Sequence, residues 1–263
     1  MRKKKNNLII PYKQMIETIS FLNCFLIEPE ILFRNEQRYR LTRIIPFLNQ
    51  IKPSIIGLSE IFRAFSSQFK LQALSHDYKF IYYNDGFIQN SGLMLLYKPN
   101  IWKPLTHTKK TFSHFTGIDS IANKGFIFAK MLHLKSNKII NFILTHLNSN
   151  SYQSKYIDYI QHKQIQQIKK FIYKNKIHNQ PLIIFGDFNV NLHNSQNITQ
   201  LKTLGDIGSP RDYTFNHLSG EKPQIIDYII LNPNQPGDTQ TKVLNYEKYL
   251  LSDHNPIYRE IFL

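Results

Sequence analysis

The chain has 263 residues, of which 42% are hydrophobic, and its 33 lysine and arginine residues against 18 acidic ones give a formal net charge of +15. A sizeable hydrophobic core is therefore available, and the excess of positive charge favours an anionic partner or substrate such as nucleic acid, an anionic membrane surface or a phosphorylated molecule. The single cysteine, Cys24, excludes an internal disulfide framework, and no stretch of the sequence reaches the roughly 20 apolar residues that a transmembrane helix needs.

In chain order, the apolar patterns predict a strand at 18–25, a helix at 36–50, a strand at 54–58, a helix at 62–74, strands at 80–83, 92–97, 125–134 and 139–144, a helix at 157–173, and strands at 182–185, 225–231 and 258–262. No internal repeat, low-complexity block or linker interrupts this series, so we expect one domain over residues 18–263, preceded by a basic N-terminal segment over residues 1–17.

The basic N-terminal segment does not predict a secretory signal peptide. The apolar stretch that follows MRKKKNN is broken by Pro11, which comes too early for the apolar part of such a signal. We therefore expect a monomer that stays in the cytoplasm or is exported without a recognisable signal peptide, and that has no disulfide bonds.

The most informative stretch covers residues 182–191 and reads LIIFGDFNVN. Its four apolar residues predict a short strand buried on both faces, and the apolar run stops at Gly186. Asp187 and Asn189 then lie at the edge of the sheet, where ligands gather in sheets that are covered on both faces. If the strand pleat persists, the two side chains point the same way. An acceptor and an amide side by side suit a site that handles phosphate or a metal-bound water; the same residues also fit an ordinary turn.

Polar residues interrupt other apolar strands in the same manner, and they define the candidate site. Each lies at or near the end of a predicted strand, except Asp227, which lies inside one. The set comprises Asn23, Glu60, His146, Asp187, Asn189, Asp227, Asp253 and His254. An ionisable group in an apolar strand is costly unless it is paired or metal-bound. Each residue alone has a structural explanation, such as a strand end, but the eight together predict a site.

The chemistry that these residue types support is the hydrolysis of a phosphate ester. Carboxylate and amide oxygens without cysteine clusters suit a hard cation such as Mg²⁺. The pair Asp253–His254 suits a general base held in one tautomer, although the orienting carboxylate can equally come from elsewhere in the fold. A second histidine, with Asn189 as donor, can stabilise charge on a phosphoryl group. Because the sequence has neither a GxxxxGK[ST] loop nor a serine or cysteine elbow, the pattern favours metal-assisted attack by water.

In this order and spacing, the motifs FLNCF, GLSEIF, SGLMLLYKP, THLNS, GDFNV, IIDYIIL and LSDHNPI cover residues 18–257. The chain thereby resembles the endonuclease/exonuclease/phosphatase superfamily of Mg²⁺-dependent phosphoesterases. One departure is Ser59, which stands where the family usually has glutamine. The resemblance implies an α/β (α+β) fold, a four-layer sandwich in which two packed mixed β-sheets are flanked by helices, with the site at one end.

The resemblance also implies a role for each residue of the site. Carried over to the matching positions, it makes Glu60 the metal ligand, with Asn23 beside it and Asp253 in support. Asp187 would position or activate the attacking water, His254 would be the general base or a phosphate contact, and Asp227 would orient His254. Asn189 and His146 would contact the phosphoryl oxygens. The implied cofactor is Mg²⁺, with Mn²⁺ as an alternative. The division of roles between Asp187 and His254 stays open.

The substrate is predicted from a shorter stretch. NKGFIFAKMLHL, which precedes THLNS, looks most like the neutral sphingomyelinase-type members of the superfamily. This favours a phospholipid such as sphingomyelin as the substrate and a peripheral contact with a membrane. Three alternatives stay open: a DNase-like nuclease, which the net charge would suit, a phosphoinositide phosphatase, and a non-catalytic binding protein on the same fold.

Overall fold

The computed structural model of the protein describes residues 14–26, 37–83, 91–120, 122–149, 155–193, 196–215, 222–244 and 251–263. The strands are β1 (Ile16–Leu26), β2 (Ile55–Ile61), β3 (Lys79–Tyr82), β4 (Met94–Tyr97), β5 (Trp102–Thr111), β6 (Gly125–His133), β7 (Ile139–His146), β8 (Leu182–Asp187), β9 (Asp227–Leu231), β10 (Lys242–Val243) and β11 (Ile257–Phe262). The helices are α1 (Gln37–Ile51), α2 (Arg63–Ser75), α3 (Lys155–Lys174) and α4 (Ile198–Lys202), with a 3₁₀ turn at Gly117–Ser120.

The strands form two mixed sheets. One has six strands in the order β10-β11-β1-β2-β4-β3, and the other has five in the order β5-β6-β7-β8-β9. β1 and β2 run parallel in the first sheet, as do β7 and β8 in the second, while the other pairs are antiparallel. Parallel pairs require a crossover, and α1 and α3 supply these two connections.

The core has three apolar layers, which separate four layers of backbone. Between the sheets, apolar residues of the six-stranded sheet such as Phe21 pack against those of the five-stranded sheet such as Phe142 and Phe185. α1 and α2 cover the outer face of the first sheet, and α3 covers the outer face of the second with an isoleucine stripe that includes Ile165 and Ile168. This is the α/β sandwich that the resemblance implied.

The sheets approach each other closely beneath the site, and a glycine permits it. A Cβ atom added at Gly57 on β2 would lie 2.3 Å from the ring of Phe185 on β8. Any side chain at this position would therefore force the sheets apart.

Most strands occur where the apolar patterns predict them, but several bounds differ. β2 continues through Glu60 to Ile61, and β7 continues to His146, so both polar residues belong to their strands. Asp227 was predicted to lie inside a strand, and this is wrong, because it is the first residue of β9. Two strands, β5 and β10, were not predicted.

The described helices include none that is long and apolar enough to cross a membrane. Cys24 is buried and free. The predicted basic segment 1–17 stays a prediction, since residues 1–13 lie outside the described part of the chain and β1 already begins at Ile16.

Candidate active site

The strand pairing in the five-stranded sheet brings the polar residues at its strand ends together. His146, the last residue of β7, is paired with Asp187, the last residue of the parallel strand β8. Asp187 is paired in turn with Asp227, the first residue of the antiparallel strand β9. The ends of two strands and the start of a third therefore place one histidine and two carboxylates side by side at one edge of the sheet.

Asn23 joins this edge to the six-stranded sheet. It lies on β1 opposite Ser59, just before a register shift in the pairing with β2. Its Nδ2 donates to Glu60 Oε1 and to Asp187 Oδ2, both at 3.0 Å. Its Oδ1 accepts from the backbone N–H of Phe25 at 3.0 Å, which fixes the orientation of the amide. One amide thus holds two carboxylates from different sheets at hydrogen-bond distance.

The two histidines approach the same carboxylate oxygen. His146 Nε2 lies 3.5 Å from Asp187 Oδ2 and 3.8 Å from Glu60 Oε1. His254 Nε2 lies 3.8 Å from Asp187 Oδ2. Asp187 is therefore the centre of the site, and its side chain is almost fully buried.

The carboxylate that orients His254 is Asp227. His254 Nδ1 and Asp227 Oδ2 are 2.8 Å apart, whereas the carboxylate of the neighbouring Asp253 accepts from Ser252 Oγ at 3.1 Å. Burial opposes the charged imidazolium, but the carboxylates of Asp227 and Asp187 outweigh it and raise the pKa of His254 to about 10. With Nδ1 engaged by Asp227, Nε2 is the nitrogen that faces the site.

Burial raises the pKa of the acids of the site, because it disfavours their charged form. Burial and the neighbouring charge of Asp227 raise the pKa of Asp187 to about 7. Burial, followed by the charge of Asp253, also raises the pKa of Glu60. An acid whose pKa lies near neutrality in a cleft is suited to proton transfer.

The site fits a divalent cation. One oxygen of Glu60 (Oε2) and one of Asp227 (Oδ1) are buried without a hydrogen-bond partner in the described structure. The described residues form two overlapping groups of possible metal ligands, and within each group the ligand atoms lie within 4.8 Å of one another. One group is Glu60, His146 and Asp187, and the other is Asp187, Asp227 and His254. Buried carboxylate oxygens without donors are the kind of atoms that a hard cation binds.

Asn189 is placed differently from the prediction. The strand pleat does not persist beyond Asp187, because Asn189 has a left-handed backbone conformation with φ of 51°. This turn directs its backbone N–H to Asp187 Oδ1 at 2.9 Å and its Nδ2 to the carbonyl of Leu147 at 3.3 Å. Asn189 therefore holds the Asp187 carboxylate in place and borders the site beside His146.

Asp253 is the one predicted site residue whose carboxylate belongs to neither of the two groups of possible ligand atoms in the described structure. Its charge nevertheless contributes to the raised pKa of Glu60. It borders the site from the segment that carries His254.

Sequence reasoning missed the role of Lys124 in the site. The motif NKGF, which contains this lysine, was used only to predict the substrate. Lys124 is buried, and its Nζ lies 2.9 Å from Asp119 Oδ1, 2.9 Å from His146 Nε2 and 2.9 Å from the carbonyl oxygen of Leu147. Burial, followed by the charge of Lys124, keeps the pKa of His146 well below its usual value. His146 is therefore a neutral imidazole whose Nε2 accepts a hydrogen bond. A lysine next to Gly125 is the only sequence signal that could have indicated this.

Comparison with known proteins agrees with the geometry. The family model described as the endonuclease/exonuclease/phosphatase family matches residues 23–254. A sphingomyelinase C from Bacillus cereus is 24% identical over 214 residues, which cover 66% of this chain and 62% of that protein. The match thus spans less than two thirds of the length of this relative.

Two solved structures share the fold. The sphingomyelinase C from Streptomyces griseocarneus aligns with a TM-score of 0.77 at 17% identity, covering 94% of this chain and 99% of that one. A mutant beta toxin from Staphylococcus aureus with bound magnesium ions aligns with a TM-score of 0.74 at 20% identity, covering 92% and 98% of the two chains.

Proposed function

Because the chain belongs to the endonuclease/exonuclease/phosphatase family, we propose that it hydrolyses phosphodiester bonds by attack of water, with the help of a bound divalent cation. The observation that carries the proposal is the position of Asp187, whose Oδ2 lies 3.5 Å from His146 Nε2 and 3.8 Å from His254 Nε2. No structural need explains two histidines at 3.5 Å and 3.8 Å from one buried carboxylate oxygen at the edge of a sheet, whereas phosphoester hydrolysis uses groups of these types.

The geometry supports a division of labour between Asp187 and His254. A carboxylate with a pKa of about 7 can accept a proton from the attacking water near neutral pH. His254, whose pKa is about 10, is protonated at that pH and donates a hydrogen bond to a phosphoryl oxygen. Asp227 holds the ring of His254, and Asn189 and Asn23 hold the carboxylate of Asp187.

Glu60 would hold the cation, with Asn23 beside it and Asp253 in support. Oxygen donors of this type suit Mg²⁺, and Mn²⁺ can take the same ligands. When bound, the cation acts as a Lewis acid that stabilises the charge developing on the phosphoryl oxygens.

We further propose that the substrate is a phospholipid such as sphingomyelin. The Bacillus cereus relative is a sphingomyelinase C, and the NKGF motif now has a structural role, since Lys124 holds His146. A nuclease is the second candidate, because a net charge of +15 favours a polyanion.

A substrate panel tests the proposal. The full chain is incubated with sphingomyelin vesicles and, separately, with supercoiled DNA, each with Mg²⁺ and with EDTA, and Asp187→Asn serves as the inactive control. We expect phosphocholine release that requires Mg²⁺ and is absent from the variant. DNA nicking with intact sphingomyelin would replace the lipid substrate by nucleic acid, and hydrolysis of neither would refute the proposed function.

A further inference from the structure

Three exposed aromatic side chains lie together at the end of the molecule that carries the candidate active site. Phe115 precedes the 3₁₀ turn, and Tyr156 and Tyr159 lie in the first turns of α3; their exposed fractions are 44%, 56% and 49%. We call these three residues the aromatic rim. Exposed large apolar side chains that cluster on a soluble surface mark a contact site more often than isolated ones do.

Hydrogen bonds fix the aromatic rim to the candidate active site. The backbone N–H of Thr116, next to Phe115, donates to Asn148 Oδ1 at 3.0 Å. Gln161, two residues after Tyr159, donates from Nε2 to the carbonyls of both Asn148 and Asn189, each at 3.0 Å. The rim therefore shares its supports with Asn189, which holds the Asp187 carboxylate, and it borders the site on the β7 side.

The ring contacts within the rim decide which partner it suits. Tyr156 and Tyr159 stack on each other at 6.1 Å with an interplanar angle of 22°. The Lys163 ammonium lies over the ring of Tyr159 at 5.2 Å, and the His114 ring meets Tyr159 edge-on. The faces of Tyr159 are thus engaged by protein groups, which disfavours stacking with a nucleobase. The exposed tyrosine side chains, each with an apolar ring and a polar hydroxyl group, suit the headgroup layer of a bilayer, where tyrosine is enriched.

Charge at the rim is complementary to phospholipid. Besides Lys163, the exposed Lys110 lies next to the last residue of β5, five positions before Phe115. Asp119, the acid of the adjacent turn, is neutralised by its ion pair with Lys124 at 2.9 Å. Lysine side chains next to interfacial aromatic rings reach lipid phosphates while their stems remain in apolar surroundings.

A fourth exposed aromatic residue lies across the site. Tyr213 is 53% exposed, and its carbonyl accepts from Asn255 Nδ2 at 3.0 Å. Two residues later, the ring of Phe215 packs edge-on against His254 at 5.0 Å. An exposed aromatic residue therefore also lies on the segment that contacts His254.

We propose that the aromatic rim docks the protein onto a phospholipid bilayer, with its rings in the headgroup layer and Lys163 against lipid phosphates. In this orientation the candidate active site faces the phosphodiesters of the bilayer. The use of the surface rests on the proposed function, but the docking itself requires no catalysis and is tested separately from it.

Vesicle binding of the full chain tests the docking. All proteins carry Asp187→Asn so that no lipid is consumed, and the vesicles contain phosphatidylcholine, sphingomyelin and phosphatidylserine. We expect the double variant Tyr156→Ser/Tyr159→Ser to bind with a partition coefficient about tenfold lower. Tyr173→Ser is the matched control, because Tyr173 is 65% exposed near the other end of α3 and should leave binding unchanged. Equal losses in both variants, or none in the double variant, would overturn the inference.

A second measurement follows the rim by fluorescence and replaces only one of its rings. Because the single cysteine, Cys24, is fully buried, a cysteine introduced by Tyr156→Cys can be labelled selectively with an environment-sensitive dye. Its emission should shift to the blue on addition of vesicles, while the label at Tyr173→Cys should not respond. The absence of a shift at position 156 overturns the docking.

The two proposals fail in different ways. If the rim variants lose binding to single-stranded DNA and keep binding to vesicles, the rim is a nucleic-acid surface and the inference is wrong. If wild-type protein hydrolyses no phosphodiester but binds vesicles through the rim, the proposed function fails and the docking stands.

Discussion

Asn23 on β1 donates from Nδ2 to Asp187 Oδ2 on β8 at 3.0 Å, although 164 positions separate the two residues. This hydrogen bond crosses from one sheet of the sandwich to the other. The same amide nitrogen donates to Glu60 Oε1 at 3.0 Å. The packing of the sheets, which the absence of a side chain at Gly57 allows, thus sets the distance between the proposed cation ligand Glu60 and the proposed base Asp187.

The first prediction concerns Asp187→Asn. We expect turnover to fall by a factor on the order of 10² to 10⁴, the usual contribution of general acid–base catalysis. Thermal stability should not fall and should rise near neutral pH. Since the pKa of Asp187 is raised from 3.8 to about 7 in the folded protein, its ionisation lowers stability as the pH rises through that window, and a neutral amide avoids this loss.

Turnover and the melting temperature of the variant are measured together. Asp77→Asn is the matched control, because Asp77 follows α2 with a left-handed backbone, φ 62°, that asparagine tolerates equally well. If the melting temperature of Asp187→Asn falls as steeply as its activity, Asp187 has a structural role and the assignment is wrong.

A second prediction follows from the contact between Asp227 and His254. Asp227→Asn removes the charge that contributes most to the raised pKa of about 10 at His254. We expect the pKa of His254 to fall towards neutrality. As the pH rises, the imidazolium of the variant should therefore lose its proton at a lower pH than that of the wild type. Nitrogen NMR of labelled histidine follows this titration directly. The same pKa in variant and wild type would show that another group charges the ring.

The partner of His254 shows what a local sequence pattern leaves open. Asp253 is its neighbour in sequence, yet its carboxylate accepts from Ser252 Oγ instead. The carboxylate that reaches Nδ1 comes from Asp227, which register places beside Asp187. The pattern of residue types predicted the chemistry, and the resemblance predicted this pair, but the sequence on its own could not choose between the two acids.

The fold was predictable where burial dictates the residue types. The strand at 182–185 is apolar throughout because both of its faces are covered, and the pattern identified it. β5 was not predicted because it has no apolar pattern. It is an edge strand with one buried residue, Trp102, and several exposed lysine and threonine residues. The role of Lys124 was not predicted for a related reason. A buried lysine cannot be told from a surface lysine until its partners, Asp119 and His146, are brought to it by the fold.

The third prediction tests this buried lysine. Lys124→Met removes the ion pair with Asp119 and the hydrogen bonds to His146 and to the carbonyl of Leu147. Removal of one partner of a buried pair lowers the free energy of unfolding by about 3–5 kcal/mol, because the remaining charge is uncompensated. Urea unfolding measures the loss, and Lys110→Met, at an exposed position, should change stability by no more than about 0.5 kcal/mol.

A double variant separates charge from packing at Lys124. Asp119→Asn/Lys124→Met removes both charges, so we expect it to recover part of the stability that Lys124→Met loses. Its activity should stay low, since His146 still lacks the donor at Nε2. No recovery of stability in the double variant would mean that the contacts of the lysine to His146 and Leu147 dominate.

The last prediction concerns removal of the cation. EDTA should abolish turnover without unfolding the chain, because three apolar layers, rather than the proposed cation ligand Glu60, hold the sandwich together. Cys24 offers an internal probe of this separation. It is adjacent to Asn23 and fully buried, and burial raises the pKa of its thiol, so it should react with Ellman's reagent only when β1 opens. We expect the same slow labelling rate with EDTA and with Mg²⁺, and complete labelling in urea. Fast labelling in EDTA alone would show that the cation is part of the structural core, and the site would then have to be reassigned from a catalytic to a structural metal.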